Sequence, residues 1–198
     1  PPHECSSAAS DVYKRQRCGY STDLSEGIVD RAMFHADNAY SLGDACIEGE
    51  ILKTNTVSHT AFRGFGGPQG MLAIESAMET AARHIGEDPL LFRLKNLYRP
   101  GRQLTPYGQD VGAHPLKEIM ESLRVTARYD ARRQAIAEHN ERRGQIIKGL
   151  ALTPVKFGIS FTAKHLNQAG ALVNLYQDGS VQVNHGGTEM GQGLHTKI

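Results

Sequence analysis

The chain has 198 residues and a formal net charge of +1; 39% of its residues are hydrophobic and 22% are charged. This composition is typical of a folded globular protein, and the near-zero net charge argues against a general attraction to nucleic acid or anionic membranes. No apolar run approaches the roughly 20 residues that span a bilayer, and no signal peptide opens the sequence. The three cysteines form no Cys-x-x-Cys pair, which favours a reducing, cytoplasmic setting and gives this stretch no iron–sulfur site of its own.

The beginning of the sequence differs from the rest. Residues Pro1–Gln16 show no hydrophobic periodicity, and the run from Ser6 onward resembles translated adapter sequence. We therefore interpret residues 1–16 as a non-native segment and exclude them from the fold. From Cys18 to Thr60 the pattern predicts short strands and loops, with one strand over Ala45–Lys53.

Clear helix signals follow a Gly-rich turn at Arg63–Gln69. Apolar residues recur at helical spacing over Pro68–Ile85, and Gly86 is a suitable C-cap. A second helix is predicted to begin after Asp88, with Asp as the N-cap and proline at the first helical position. Its apolar face is formed by four leucines: Leu90, Leu91, Leu94 and Leu97.

The remaining elements complete an α+β fold class. Further helices are predicted over Pro115–Leu123 and over about Asp130–Arg143, the second of which is strongly charged and solvated. Lys148–Phe161 is apolar and typical of β-structure. Two alternating arms around Asp178-Gly179 predict a β-hairpin within residues 171–184, with one face buried.

The first Gly-rich loop, Thr60–Gln69, is a candidate binding site. Its glycines allow positive φ and close backbone approach to a ligand, and the helix that follows offers N-terminal amides to an anion. In an extended backbone, Arg63 and Phe65 would point to opposite sides, so that one could face an anionic cofactor while the other stacks on a ring. The alternative is a strand-to-helix turn with a core phenylalanine and a surface arginine.

A second Gly-rich loop, His185–Gly193, follows a strand and opens a helix. It matches neither a P-loop nor a Gly-x-Gly-x-x-Gly fingerprint. Its backbone N–H groups nevertheless suit an anionic ligand, and Gln192 could donate to a ligand oxygen. The alternative is a tight turn without a ligand.

Both loops resemble segments of the xanthine oxidase family of molybdenum hydroxylases. The resemblance continues through Thr22–Tyr40 and Val155–Gly170, and it covers Gly19–Ile198 in the family's order. It implies an α+β fragment that spans the end of one molybdopterin-binding subdomain, residues 17–104, and the start of a second, residues 105–198. It also implies a molybdenum–molybdopterin cofactor with no direct protein ligand to the metal, and FAD and iron–sulfur clusters carried elsewhere in the complete enzyme.

Four residues are matched to the cofactor by this resemblance. Arg63, followed by Gly64, matches the arginine whose main chain contacts the molybdenum cofactor. Gln192, preceded by Gly191, matches a glutamine that contacts the same cofactor. These roles need backbone donors and a shaped cavity rather than a cluster of metal ligands.

Four residues are matched to the substrate. Phe65 matches an aromatic residue that stacks on a purine, and Phe161 matches one that meets the purine edge-on. The backbone of Thr162 matches a substrate contact. Arg31 matches the arginine that binds the polar edge of the purine and stabilises the negative charge that builds on the ring during the reaction, which makes it the expected catalytic residue.

The general-base glutamate of the family is expected beyond Ile198, and a second substrate-binding glutamate is expected before the matched region. Neither Glu75 nor Glu189 is expected to replace them, and Glu75 is predicted to be a solvated residue on its helix. Without these glutamates, we expect the isolated chain to be inactive and poorly folded.

The resemblance implies an enzyme that oxidises hypoxanthine and xanthine to urate with oxygen from water. Arg31 favours a purine over an aldehyde; the simpler interpretation is a surface salt bridge from Arg31 to Asp30 or Asp37. Two alternatives stay open: an aldehyde oxidase-like or other N-heterocycle hydroxylase, and a non-catalytic phosphate- or nucleotide-binding module. Expected partners are a purine, FAD- and iron–sulfur-containing domains or subunits, and further copies in an oligomer, but neither nucleic acid nor a membrane.

Overall fold

The computed structural model describes residues 10–142 and 144–198, with side chains from residue 15 onward. Residues 1–9 of the predicted non-native segment lie outside the described residues, whereas Ser10–Gln16 belong to a strand. The exclusion of Ser10–Gln16 from the fold is therefore wrong, while the origin of the segment stays a prediction. The chain divides into two compact units, one that ends at Gly158 and one that begins at Ile159. The predicted subdomain boundary between residues 104 and 105 also stays a prediction.

The first unit opens with a β–α–β arrangement. Strand β1 (Ser10–Gly19) pairs in parallel with β2 (Ala45–Lys53), and helix α1 (Ser25–Phe34) connects them. The predicted strand over Ala45–Lys53 is confirmed, but the expectation of only strands and loops before Thr60 is wrong. Helix α1 buries Ser25 and Arg31 beside its apolar residues, so polar side chains interrupt the hydrophobic period that would have revealed it.

Helices α2 (Gly67–Ile85) and α3 (Pro89–Asn96) confirm the predicted pair and its caps. Gly86 has φ 72° and its N–H donates to Arg83 O at 3.2 Å, as expected of a left-handed C-cap. The Asp88 carboxylate accepts the N–H of Leu90 at 2.9 Å. The predicted leucine face is narrower than expected, because Leu90 and Leu97 are buried whereas Leu91 is exposed.

Replacing Asp88 with alanine should destabilise α3 by about 1 kcal/mol, because the helix loses its side-chain cap. Asp88 also forms a partly exposed ion pair with Arg133 at 3.7 Å. Asp88→Asn therefore serves as the control, since asparagine keeps the cap and removes the charge. The melting temperature of the full-length protein measures both changes. Equal losses in the two variants would assign the effect to the ion pair instead.

Helices α4 (Leu116–Thr126) and α5 (Tyr129–Glu141) pack against each other. Tyr129 is buried, but the charged remainder of α5 faces solvent, as predicted. Over residues 10–142 and 144–198, no helix is both long and apolar enough to cross a membrane. Among the described residues of the first unit, one hydrophobic core cluster contains eight buried side chains: Ala39, Tyr40, Ile74, Met78, Leu90, Leu97, Met120 and Tyr129.

The predicted β-structure over Lys148–Phe161 is wrong, because no strand forms there. Side chains replace a strand ladder as partners for part of this backbone. Asn38 Nδ2 donates to Pro154 O at 2.9 Å, and Lys156 N donates to Asn38 Oδ1 at 3.0 Å. Backbone polar groups need partners when they are buried, but those partners need not belong to a sheet. We refer below to residues 154–158 as the strap.

The second unit contains the predicted hairpin. Strands β3 (Ala171–Leu175) and β4 (Val181–His185) pair antiparallel around Asp178-Gly179, and Leu194–Lys197 forms the short helix α6. The expectation of a buried face is wrong, because an isolated two-stranded hairpin has no second layer to cover it. The apolar residues on its shared face are exposed: Val173, Leu175, Val181 and Val183.

Candidate functional site

The first Gly-rich loop forms a tight turn directly before α2. Gly64, Phe65 and Gly66 have φ values of 98°, 49° and 99°, so three successive residues occupy positive-φ conformations. The interpretation that required an extended backbone at Arg63 and Phe65 is therefore wrong. Arg63 is exposed and Phe65 is half-buried, which leaves both side chains accessible at the turn. Positive φ is costly for phenylalanine, and such strain persists where the surroundings enforce it.

Close packing against α1 explains two of the glycines around the turn. A Cβ atom at Gly66 would lie 2.0 Å from Ile28 O, and one at Gly70 would lie 2.2 Å from Ala32 O. Neither position leaves room for a side chain, because main-chain atoms of α1 occupy the space. The turn and the start of α2 therefore lie directly against the helix that carries Arg31.

Replacing Gly66 with alanine should destabilise the first unit by about 2–3 kcal/mol, through positive-φ strain and overpacking against α1. Gly101→Ala is the matched control, because Gly101 has φ 80° but a Cβ atom there would meet no other atom within 4 Å. The Gly101→Ala variant should be destabilised by only about 1 kcal/mol. Thermal unfolding of the full-length variants measures the difference, and equal losses would show that the contact with Ile28 is unimportant.

Arg31 is buried, with 6% of its surface exposed. Its Nη1 donates to Gly158 O, and its guanidinium carbon lies 5.4 Å from the centroid of the Phe157 ring. Burial lowers the pKa of Arg31, but arginine keeps its proton in proteins. The simpler interpretation of a surface residue is wrong. The Arg31 cation is instead covered by the strap, whose Phe157 and Gly158 are themselves exposed.

His35 lies one turn after Arg31 and is also buried. Its Nδ1 lies 2.7 Å from Arg31 O, and its Nε2 accepts the N–H of Gly158 at 3.0 Å. The Phe157 ring lies 4.8 Å from the imidazole, centroid to centroid. A Cβ at Gly67 would lie 2.5 Å from the same ring, so Phe157 packs between α1 and the start of α2.

The residues that follow α1 bind the strap at Lys156. The fully buried Asp37 forms an ion pair with Lys156 and accepts a hydrogen bond from Tyr98 Oη at 2.6 Å. Burial, with the hydrogen bond and charge of Asp37, raises the pKa of Tyr98, so the phenol stays protonated. Together with Asn38, these contacts fix the backbone of the strap. Sequence reasoning missed this role, because the pairing of Asp37 with Lys156 joins residues far apart in the chain and leaves no local signal.

In the second unit, Phe161 and Thr162 are half-buried. Asn167 binds both backbone groups of Phe161: Phe161 N donates to Asn167 Oδ1, and Asn167 Nδ2 donates to Phe161 O, each at 2.8 Å. This reciprocal pair fixes the backbone of Phe161. Asn167 had no assigned role in the sequence, because an asparagine in a loop gives no periodic signal.

In the second Gly-rich loop, a carboxylate of the loop itself binds the backbone N–H groups. The Glu189 carboxylate accepts N–H groups from Gly191 and Leu194, each at 2.6 Å, and from Gly193 at 3.3 Å. Desolvation raises the pKa of Glu189, but these backbone hydrogen bonds outweigh it and lower the pKa overall. The side chain of Gln192 is also engaged, because its Nε2 donates to Thr188 O at 2.8 Å. In this conformation the predicted amide donors therefore serve Glu189.

The structure thus places Arg31, Arg63, Gly64 and Phe65 in the first unit. Phe161, Thr162, Gly191 and Gln192 belong to the second unit. Among the described residues, no group of three or more His, Cys, Asp and Glu side chains is arranged to hold a metal ion.

Two family models, both described as molybdopterin cofactor-binding domain, match residues 7–97 and 122–198. The chain belongs to the family of molybdopterin cofactor-binding domains. The prediction of a molybdenum–molybdopterin cofactor is confirmed by this match, as is the predicted α+β class. The interval between the two matched regions, residues 98–121, contains the boundary predicted from the sequence.

Curated relatives of this molybdopterin-binding chain share nearly half of its residues. The xanthine dehydrogenase/oxidase of Gallus gallus is 49% identical over 91% of the chain, and the xanthine dehydrogenase of Emericella nidulans is 46% identical over 96%. A nicotinate hydroxylase of Emericella nidulans is 48% identical over 96%. The predicted resemblance to the xanthine oxidase family is confirmed. The chain spans only 13–14% of the length of these relatives.

Solved structures show the same fold. An aldehyde oxidoreductase from Desulfovibrio gigas has a TM-score of 0.60 and 24% identity, and it matches 87% of this chain and 19% of its own. A copper- and molybdenum-containing CO dehydrogenase has a TM-score of 0.62 and 20% identity, and it matches 91% of this chain and 25% of its own. At this identity the similarity concerns the fold alone.

The first Gly-rich loop fits a molybdopterin cofactor. Gly64 adopts φ 98° in a half-buried turn where a Cβ atom would lie 2.6 Å from the Pro68 ring, and the neighbouring Arg63 presents an exposed cation. Glycine backbone and a cation are suitable partners for an anionic pyranopterin phosphate. The second loop fits less directly, because Glu189 binds amides that an anionic group would otherwise use.

Proposed function

We propose that the full-length protein to which this chain belongs hydroxylates purines, with hypoxanthine and xanthine as substrates and urate as product. The observation that carries the proposal is the buried Arg31 cation, fixed against Gly158 O at the position assigned to the polar edge of the substrate. The xanthine dehydrogenases among the relatives support the same substrate class. When bound, the molybdenum cofactor supplies the water-derived oxygen and accepts two electrons.

The residues of this chain would bind and polarise the substrate. Phe65 would stack on the purine and Phe161 would meet its edge, which fixes the plane of the ring. The backbone of Thr162 would contact the substrate, and Arg31 would stabilise negative charge on the heterocycle. A preorganised charge of this kind acts without reorganisation during the reaction. Four residues would contact the cofactor: Arg63, Gly64, Gly191 and Gln192.

The remaining assignments extend the proposal to the longer protein. We propose that the general base and the second substrate-binding glutamate lie outside these 198 residues. FAD- and iron–sulfur-containing domains or subunits would carry the electrons away, and the complete enzyme would be an oligomer in the cytoplasm.

A second candidate is hydroxylation of another N-heterocycle. The nicotinate hydroxylase relative, at 48% identity, favours it. Nicotinate is also an electron-poor ring that carries a negative charge, so a buried arginine suits both substrates. The aldehyde oxidase-like alternative is supported only by similarity of fold.

Turnover by the full-length protein distinguishes these functions. The protein is expressed with molybdenum, its metal content is measured, and kcat/KM is determined for xanthine, nicotinate and an aromatic aldehyde. We expect stoichiometric molybdenum and the highest kcat/KM with xanthine. A higher kcat/KM with nicotinate or with the aldehyde would replace the purine proposal. Nucleotide binding without molybdenum would instead support a non-catalytic module.

A further inference from the structure

The His35 imidazole uses both of its ring nitrogens inside the first unit. The side chain is 4% exposed. Its Nδ1 bonds to Arg31 O within α1, while its Nε2 accepts from Gly158 N in the strap. Since a carbonyl can only accept and an amide N–H can only donate, the ring must carry its proton on Nδ1 and present a lone pair at Nε2. These two contacts specify one neutral tautomer.

The charges around His35 favour the same neutral state. Burial is the largest cause of its lowered pKa, and the nearby cations Arg31 and Lys156 lower it further. Asp37 opposes them, and so does the hydrogen bond to Arg31 O. A protonated ring would also place an N–H at Nε2 against the N–H of Gly158. The neutral imidazole therefore remains the acceptor for the strap near neutral pH.

Arg31, His35 and Gly158 form a closed set of contacts. Gly158 is bound at both backbone groups, because its N–H donates to His35 and its C=O accepts from Arg31. The third contact, from His35 Nδ1 to Arg31 O, links the two residues on the α1 side. Phe157 packs against both the imidazole and the guanidinium. The carbonyl that orients the Arg31 guanidinium is therefore itself held in place by His35.

We propose that His35 is a positioning residue: by fixing Gly158, it aims the Arg31 guanidinium at the polar edge of a heterocyclic substrate that gains negative charge during the reaction. This inference rests on the proposed function, because it assigns Arg31 to the substrate. His35 does not touch the substrate, and it acts through the strap. The hydrogen-bond acceptor at Nε2, rather than the bulk of the ring, is the property that the role requires.

Two variants of the full-length holoenzyme separate the acceptor from the ring. His35→Gln can keep an oxygen acceptor for Gly158 N, whereas His35→Leu keeps apolar bulk without an acceptor. We expect His35→Leu to lower kcat for xanthine about tenfold, the effect of roughly one hydrogen bond, with a smaller change in KM. His35→Gln should recover most of that loss. His84→Leu, on the exposed face of α2, is the matched control and should leave kcat unchanged.

A neutral aromatic aldehyde serves as a second substrate. If His35 had a purely structural role, its replacement would lower turnover of xanthine and of the aldehyde equally. Oxidation of the aldehyde does not require charge stabilisation by Arg31, so His35→Leu should reduce aldehyde turnover by less than about twofold, with normal molybdenum content. Equal losses with xanthine and aldehyde, or loss of molybdenum, would overturn the positioning role. So would full xanthine turnover by His35→Leu.

The wild-type protein separates this inference from the proposed function. If it hydroxylates nicotinate rather than xanthine, the purine proposal fails, and the same variants are measured with nicotinate, whose ring also gains negative charge during hydroxylation. If wild type turns over neither heterocycle, the proposed function and this inference both fail. If it turns over xanthine but the two His35 variants behave alike, only the inference fails.

Discussion

Replacing Arg31 with methionine should lower xanthine turnover by the full-length enzyme about 100- to 1000-fold, the usual effect of removing one donor that stabilises charge in a transition state. Methionine fills much of the same volume without a charge or a donor. The loss should fall mainly on kcat, because the negative charge on the purine develops during the reaction. Aldehyde oxidation should stay within a few-fold of wild type, since no anionic ring forms.

Steady-state kinetics with both substrates, normalised to molybdenum content, measure this effect. Arg83→Met is the control, because Arg83 is an exposed cation on α2. Arg31 also contacts Gly158 and Phe157, so a general disturbance of the strap is the competing explanation. Such a disturbance would lower both activities together. That result would contradict the assignment of Arg31 to the substrate, and so would an unchanged kcat/KM for xanthine.

The second large effect is expected at a buried ionic network between α2 and α3. Arg93 donates from Nε to Glu75 at 2.8 Å and from Nη2 to Glu79 at 3.2 Å, and its side chain is only 3% exposed. The other oxygen of Glu75 accepts from Asn38 at 2.9 Å and from Tyr40 at 2.5 Å. The prediction that Glu75 is solvated is therefore wrong.

Arg93→Leu should destabilise the protein by about 3–5 kcal/mol, because it leaves two carboxylates near the core without their cation. Burial lowers the pKa of Arg93, but the hydrogen bond and charge of Glu75 raise it overall. Arg83→Leu is the matched control. It removes an exposed i,i+4 partner of Glu79 and should cost at most about 0.5 kcal/mol.

A double variant tests whether the unpaired charge causes the loss. Glu75→Gln combined with Arg93→Leu removes one buried negative charge but keeps an oxygen acceptor for Asn38 and Tyr40. It should be more stable than Arg93→Leu alone. Differential scanning calorimetry of the full-length protein gives the comparison. If Arg93→Leu has the same melting temperature as the Arg83→Leu control, the network does not contribute to stability.

Local signals made α2 and α3 predictable from the sequence. A glycine at the end of one helix and an Asp-Pro pair at the start of the next act within a few residues, so their effect does not depend on the rest of the fold. Helix α1 lacks such signals, and its buried Arg31 has a partner in the strap. The burial and pairing of Glu75 could not be predicted from local sequence either, because its partners come from α3 and from the loop after α1.

The roles assigned to Arg31 and to the first Gly-rich loop stay predictions. They were carried over from the resemblance, because residue type and order identify those motifs. His35 was not assigned, since its role depends on a backbone group 123 positions later in the chain. The loop around Gln192 was predicted to bind an anion through its amides, but a carboxylate within the loop takes three of them.

The contacts that hold the strap are divided unevenly between side chains and main chain. The hydrogen bonds from Asn38, His35 and Arg31 reach only main-chain groups of the strap, namely the carbonyl of Pro154 and backbone groups of Lys156 and Gly158. The strap adds two side-chain contacts of its own, from Lys156 to Asp37 and from the Phe157 ring to His35 and Arg31. Every residue type carries a carbonyl, and every type except proline carries an N–H. Substitutions at Pro154 and Gly158 can therefore accumulate over evolution without loss of these bonds, while Lys156, Phe157 and the α1 partners cannot be exchanged as freely. Homologues that have diverged widely should retain the path of this segment even where its residues differ.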